Sequence, residues 1–421
     1  MAAASRPSGK RSICCATRWS PWRRHRTSSS AWASPEASPG VGVRFLSMSE
    51  HHDDLAALNG ALPLREKLIA AHRELRAQFP FVVRIAVALH DPKTDTLATY
   101  VHSTEGDSPL DHYQASMAEA PSLKAILDAG LPRVINHPLT YGDGEAEHTR
   151  RIGRAGYAAS YTLPMFDQGT FVGFIFFNAD ERDVFTEPVL RQIDLFGHLI
   201  SLLVIQELAS LQTLQAAVRT TGRIAHVRDP ETGSHLDRMS RYARLIAQEL
   251  AESHDLDDGF VEHVFMFAPL HDIGKVGIPD RILLKQGRLD DDEMEIMRTH
   301  ARMGEEMIED LIDSFGLEHF GYRHMLRNIA ASHHEAVNGS GYPQGLRGEA
   351  IPLEARIVAV ADVFDALTSR RPYKDAWSNE QAVAKLRELA GENLDAACVD
   401  ALVARLDEVE RIQARFAERE F

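Results

Sequence analysis

Residues 271–280 read HDIGKVGIPD, which sets a histidine beside an aspartate directly after the apolar run Phe265 to Leu270. Imidazole and carboxylate are donors that iron, manganese or zinc accept, and neighbouring donors serve two ions when the carboxylate bridges. Lys275 follows three and four residues on, so in a helical turn it shares their face. A pair of cations with a lysine beside it suits phosphate chemistry. Two such cations, about 3.5 to 4 Å apart, acidify water and neutralise charge on a phosphoryl group undergoing in-line displacement. Gly274, Gly277 and Pro279 end the turn and let backbone pass close to what the site holds.

More donors of the same kind are spread on both sides. In DPETGSH, Asp229 reads as a helix cap, Pro230 as the first helical residue and Glu231 as first-turn, which puts Glu231 and His235 four apart on one face. Then come His300, His333-His334-Glu335, and Asp362 inside ARIVAVADVFDALTS. Each stands at the end of an apolar helical pattern or within one. Burying so many polar groups without partners would cost several kcal/mol each, so shared cations are the simplest account. His263, His319 and His324 read as ordinary histidines. No protein nucleophile is evident, since Cys398 lies away from this series and no GxSxG turn occurs. Residues 338–348, NGSGYPQGLRG, form a loop by their glycines and proline, with Tyr342 as the only aromatic. Two readings stand for it: a lining for substrate or a partner protein, or a rigid turn that holds the donor-bearing helices.

The elements that must position these groups follow from periodicity. An amphipathic helix is predicted from Leu62 to Gln78, then a strand Phe81–Leu89, a turn at Asp91-Pro92 and a partner strand Leu97–His102. A helix Pro121–Ala129, a charged stretch from Tyr141 to Gly156, and a hairpin of Ser160–Phe166 with Thr170–Asn178 around Gln168-Gly169 come next. From Glu187 to 227 one long helix is predicted, broken in composition only by Gly197 and Gly222. Ile200, Val204, Leu211, Leu214 and Val218 fall at heptad positions, with Glu207 interrupting them. A short parallel coiled coil between two protomers and a connecting helix packed on its own chain both fit. The donors then sit in a region of helices, with an acidic-start helix from Asp290 to Arg298 ahead of His300, and Glu380 to Phe416 reads as one or two closing helices.

A chain of 421 residues exceeds one typical core, and its net charge of −15 excludes a protein that coats nucleic acid. An anion site must therefore be local. The three cysteines, Cys14, Cys15 and Cys398, build no disulfide framework or zinc ribbon, in keeping with a cytoplasmic protein. No run of about 18 to 20 apolar residues is seen, so no membrane span is predicted. Residues 1–47 carry eight Lys and Arg against the single acid Glu36; that +7 against a total of −15 leaves −22 on the remainder. This segment is set apart from the fold, as a disordered extension or as sequence preceding a true start at Met48.

The helix, paired strands, helix, paired strands, helix order, with the phrase from Ser160 to Asn178, resembles a GAF sensor domain. Two readings stand for it: a sensor whose pocket for an unidentified small ligand lies between the sheet and residues 105–155, or a dimerising domain with no ligand. The series His235, His271-Asp272, His300, His333-His334, the triplet Gly341-Tyr342-Pro343 and Asp362 resembles the HD-GYP branch of the HD phosphohydrolases. The resemblance implies an α+β multidomain chain. A GAF-like α/β sensor domain with an antiparallel sheet spans 60–208, a connecting helix 187–227, an all-α HD-GYP bundle of about seven helices 220–405, and a closing helix end 406–421. It also implies metal-dependent hydrolysis of cyclic di-GMP, a bacterial second messenger, with either pGpG or GMP as the end product. His235, His271, Asp272, His300, His333, His334 and Asp362 would be ligands of two iron or manganese ions, with Asp272 bridging. In the family a glutamate at the place of Glu231 accompanies a third metal. Lys275, Arg371 and Lys374 match positions that hold phosphates or guanine, and Tyr342 would line the substrate.

Just before the loop this sequence departs from the family, with Ala336, Val337 and Asn338 where relatives show arginine, tryptophan and aspartate. The donor series is untouched, but loop anchoring must come from elsewhere. That departure supports another class of function: a module that binds cyclic di-GMP, or a diguanylate cyclase through the GYP loop, and signals by contact. A third is hydrolysis of another cyclic dinucleotide. The connecting helix implies a homodimer.

Overall fold

The computed structural model describes residues 53–106, 108–137, 151, 155–225, 233–316, 321–370 and 376–417. The N-terminal segment, most of the charged stretch 141–156, and Glu231, Arg371 and Lys374 thus lie outside the described residues. Residues 53–421 form one compact unit.

The first layer is a six-stranded antiparallel sheet in the order β3-β2-β1-β6-β5-β4. Its strands are β1 (Val82–Asp91), β2 (Thr96–Thr104), β3 (Gln114–Ser116), β4 (Arg133–Ile135), β5 (Ala159–Asp167) and β6 (Thr170–Ala179). The central strand β1 is covered on both faces, which is why it reads as a near-continuous apolar run rather than an alternation. The β5–β6 turn is made by Gln168 and Gly169, both with positive φ (47° and 85°), the geometry a two-residue hairpin turn needs. Gly173 admits no side chain, because a Cβ there would come within 2.0 Å of the Ala88 carbonyl oxygen. Helix α1 (Leu64–Gln78) buries Leu64, Leu68, Ala71 and Leu75 against the sheet, and α2 (Pro121–Ala129) covers a small cluster with Leu123 and Ile126. The expected element order is present; the three-residue edge strands β3 and β4 are additions.

Helix α3 (Glu187–Ala225) joins the two layers. Its apolar stripe is used within the chain: Ile200 and Val204 enter the sheet core, whereas Leu211 and Leu214 enter the core of the helical region. These heptad positions therefore cannot form the predicted seam between protomers. Glu207, which breaks the heptad, accepts a hydrogen bond from the Tyr100 hydroxyl at 2.8 Å. The stretch Glu187–Ala216 is, by length and composition, long and apolar enough to cross a membrane, contrary to the expectation of no such run; one face of it fills the two cores.

The helical region holds α4 (Gly233–His254), α5 (Asp258–Phe267), α6 (Asp280–Leu283), α7 (Asp291–Phe315), α8 (Arg323–Ser332), α9 (Leu353–Thr368), α10 (Asn379–Leu389), α11 (Ala396–Ala404) and α12 (Leu406–Arg415). Helix α7 opens on a capping box, Asp290 with Glu293, and runs well past the predicted end at Arg298. Residues from α4, α5, α8, α9, α10 and α11 share one core, in which Cys398 is fully buried with its thiol pKa raised by burial. The sheet layer is tied to this region by polar bonds as well. Arg241 Nη2 donates to Asp91 Oδ2 at 2.6 Å, and Lys93 Nζ donates to Asp237 Oδ1 at 2.5 Å.

Candidate metal centre

Five elements converge on one place. His235 comes from the first turn of α4, His300 from α7, His333 and His334 from the C-terminal end of α8, and Asp362 from α9. His271 and Asp272 sit between two short 3-10 turns, Ala268–Leu270 and Ile273–Gly277, that continue α5. Gly274 explains why these turns lie so near α7. A Cβ there would meet the His300 carbonyl oxygen at 2.0 Å and the Gly304 nitrogen at 2.5 Å.

The donors form two groups. Asp272, His300, His333 and His334 present ligand-competent atoms within 4.8 Å of one another, and so do His235, His271 and Asp362. The adjacent pair His271-Asp272 joins them, with His271 Nε2 at 3.1 Å from Asp272 Oδ2. Asp272 Oδ1 faces the first group, 3.2 Å from His300 Nε2 and 3.6 Å from His333 Nε2. His235 Nε2 lies 3.8 Å from Asp362 Oδ1.

The imidazoles are oriented from behind. Nδ1 of His271, His300 and His333 each lies 2.8 to 2.9 Å from a backbone carbonyl oxygen, those of Ala268, Met297 and Ile329. Nδ1 is then the protonated nitrogen and Nε2 carries the lone pair, turned to the centre. His300 Nε2, His333 Nε2 and Asp272 Oδ1 are buried with no hydrogen-bond partner. Acceptors facing each other in a dry space are unfavourable unless a cation lies between them. The residues present therefore fit two divalent ions.

Electrostatics agree. Burial alone would raise the Asp272 carboxyl, but Lys275 and His271 hold its pKa well below the ordinary value. Lys275 Nζ is 2.7 Å from Asp272 Oδ2, the i,i+3 neighbour expected from the spacing. Burial lowers the pKa of both His333 and His334, and a proton on His333 would lower that of His334 further. Both imidazoles thus stay neutral, as metal ligands must. Tyr342 stands at the rim, its ring 4.8 Å from that of His334 and with the Arg298 guanidinium 5.3 Å from its centroid.

Three features were not read from the sequence. Asp365, fully buried, takes His235 Nδ1 at 2.7 Å together with Arg238 and Ser369; its i+3 spacing from Asp362 on one helix was the available signal. Arg298 offers no signal in the sequence beyond its place at the end of the predicted helix from Asp290. Glu335, counted with the donor series, turns away instead, accepting the amides of Gln344 at 2.7 Å and Leu346 at 3.0 Å. That carboxylate supplies the loop anchoring in doubt at 336–338, helped by Asn338, whose Oδ1 accepts the Ser340 amide at 2.9 Å. Gly341 lies so close to the Ala336 nitrogen that a Cβ would come within 2.2 Å. Glu231, Arg371 and Lys374 lie outside the described residues, as do residues 138–150 and 152–154 of the segment expected to roof a sensor pocket.

Comparison with known proteins agrees with this region. Residues 224–398 match the family model described as HD domain. The cyclic di-GMP phosphodiesterase response regulator RpfG of Xanthomonas campestris is 45% identical over 214 residues, covering 50% of this chain and 54% of that protein. The 3'3'-cGAMP-specific phosphodiesterase 2 of Vibrio cholerae is 36% identical over 203 residues, covering 48% of this chain and 37% of that protein. The chain thus spans about half, or less, of the length of the curated relatives it matches. Among solved structures, the GAF domain/HD domain protein from Geobacter sulfurreducens is 21% identical, covering 35% of this chain and 96% of that chain, with a TM-score of 0.29.

Proposed function

We propose that this chain is a metal-dependent phosphodiesterase that opens cyclic di-GMP to linear pGpG. The observation that carries the reading is the pair of donor groups joined at His271-Asp272 with the Lys275 ammonium against them. The relatives that match the same stretch supply the substrate. His235, His271 and Asp362 would hold one ion, and Asp272, His300, His333 and His334 a second, of iron or manganese, with Asp272 shared. When bound, such ions supply an acidified water and charge neutralisation on the phosphoryl oxygens.

The chain's own residues do the rest. Lys275, with its side chain 21% exposed, keeps a fixed charge at the mouth of the centre for a non-bridging phosphate oxygen. Tyr342 and Arg298 offer a ring and a guanidinium at the rim, suited to a guanine and its phosphate. Arg371 and Lys374 are proposed for the same substrate, and Glu231 for a third ion that would carry the reaction on to GMP. The sheet layer is proposed as a GAF-like sensor for an unidentified ligand, in a cytoplasmic homodimer. The exposed Leu195 and Leu202, one heptad apart on α3, are the face for that contact.

The test is direct. Protein loaded with iron or manganese is given cyclic di-GMP, and products are separated by chromatography. pGpG is the expected product, lost in Asp272→Ala; intact substrate with metal shown bound would overturn the assignment. A second reading has its own support, because a relative acts on 3'3'-cGAMP by its name. Turnover of that dinucleotide at the higher kcat/KM would favour it. Wild-type signalling by Asp272→Ala would favour a contact module, with a diguanylate cyclase on the GYP loop as partner.

A further inference from the structure

A second set of donors lies well away from Asp272, where the sheet meets the helical region. His102 on β2, Asp111 in the following loop and Asp258, the first residue of α5, bring ligand-competent atoms within 4.8 Å of one another. His102 Nε2 is 3.1 Å from Asp111 Oδ1, and Nδ1 of the same ring is 2.9 Å from Thr104 Oγ1, so the ring is held with Nε2 turned to the carboxylates. Asp258 is only 4% exposed. Its Oδ1 accepts the His112 backbone amide at 2.6 Å and lies 3.2 Å from His112 Nδ1. Its Oδ2 is buried with no hydrogen-bond partner. A buried carboxylate oxygen left without a donor is unfavourable by several kcal/mol unless a cation meets it. The nearby Arg84 donates through Nη1 to Asn178 Oδ1 at 3.1 Å.

We infer that His102, Asp111 and Asp258 bind one divalent cation of the zinc class, bridging the sheet layer and helix α5. One imidazole and two carboxylates form a mixed nitrogen and oxygen set that such ions take, whereas calcium and magnesium prefer oxygen alone. Donors on bonds of about 2.0 to 2.2 Å stand roughly 3.4 Å apart in a tetrahedron, near the 3.1 Å between His102 Nε2 and Asp111 Oδ1. A cavity of about 270 Å³, lined by Tyr100, His102, Asp258, His263 and Tyr322 among others, opens beside the donors and leaves room for a water as further ligand. The position gives the ion a consequence. Helix α5 runs from Asp258 to Phe267 and continues through Ala268–Leu270 into His271. A cation that clamps its first turn to β2 fixes the element that delivers the His271-Asp272 pair.

The site stands apart from the phosphodiesterase reading, and the experiment keeps them separate. Zinc binding to the full chain is measured by equilibrium dialysis for Asp272→Ala and for the same chain with His102→Ala or Asp111→Ala added. Each added change is expected to remove one zinc per chain and to abolish the zinc-dependent rise in melting temperature attached to it. Asp111 has a side chain 46% exposed, so its loss leaves folding intact, which circular dichroism verifies. Undiminished stoichiometry in either added variant overturns the site and leaves imidazole–carboxylate ion pairs in its place.

Discussion

His235 Nδ1 lies 2.7 Å from Asp365 Oδ2, so a buried carboxylate on α9 holds the first histidine of the donor series by its rear nitrogen. Burial would raise the Asp365 carboxyl, but hydrogen bonds from His235 and Arg238 keep its pKa below the ordinary value. It therefore remains an anion able to fix the imidazole tautomer. Asp365→Asn is expected to weaken metal binding about 10- to 100-fold, the usual effect of removing such a partner. Titration with manganese reads this directly. An unchanged affinity alongside a lower melting temperature would reduce Asp365 to a structural partner of Arg238.

Close approach of backbone sets a second prediction. Because a Cβ at Gly274 would fall 2.0 Å from the His300 carbonyl oxygen, Gly274→Ala must push the Asp272 turn away from α7. Backbone has no flexible end to yield, so a loss of roughly 1–3 kcal/mol in stability is expected from the overpacking. The separation of Asp272 from His300 should grow with it, so metal affinity falls too. Urea unfolding and metal titration on one preparation check both; full metal affinity would show that the turn relaxes without moving its donors.

The GYP loop gives a third. Glu335 accepts two loop amides, and a glutamine has only one oxygen to offer them. Glu335→Gln should leave one amide without its acceptor, a change of roughly 1–3 kcal/mol in local opening. Hydrogen exchange at Gln344 or Leu346 should then quicken by about 5- to 150-fold, with exchange in α8 unaltered. Equal protection in both proteins would mean that Asn338 and the backbone hold the loop unaided.

These residues also mark what a sequence discloses. The centre was readable because histidine and aspartate at the ends of apolar helices have few other uses, and the HDIGKVGIPD spacing fixed Lys275 relative to Asp272. Asp365 escaped notice because an aspartate three positions from another on a helix equally describes a solvated face. Glu335 follows two donor histidines and is of a type that fits a metal, and only the path of the loop shows where its carboxylate turns. The stripe on α3 was readable as apolar but not as to what covers it. Ile200 and Leu211 satisfy a heptad, yet they are buried in two different cores of one chain. Pairs such as Asp91 with Arg241, 150 residues apart, leave no local trace.

The junction of the two layers predicts a pH response. Burial lowers the His263 pKa to about 4, against a partial opposing effect of its bond to the Gly259 carbonyl. Below its ordinary value of about 6.5 the unfolded chain takes up a proton that the folded chain refuses, so acidification favours unfolding. The stability is fully present above about 6.5 and is lost as pH falls toward 4, by at most roughly 3 kcal/mol. Glu207, across the same cavity, has its pKa raised by burial and acts in the opposite sense, losing stability as pH rises through its raised value. The two therefore offset each other, and only a comparison isolates the histidine. His263→Phe keeps an aromatic ring over Tyr322, which now lies 4.3 Å from the imidazole, while removing the titration. Urea midpoints from pH 7.5 to 4.5 should fall less steeply in the variant than in the wild type. Parallel profiles would assign the acid sensitivity to other groups.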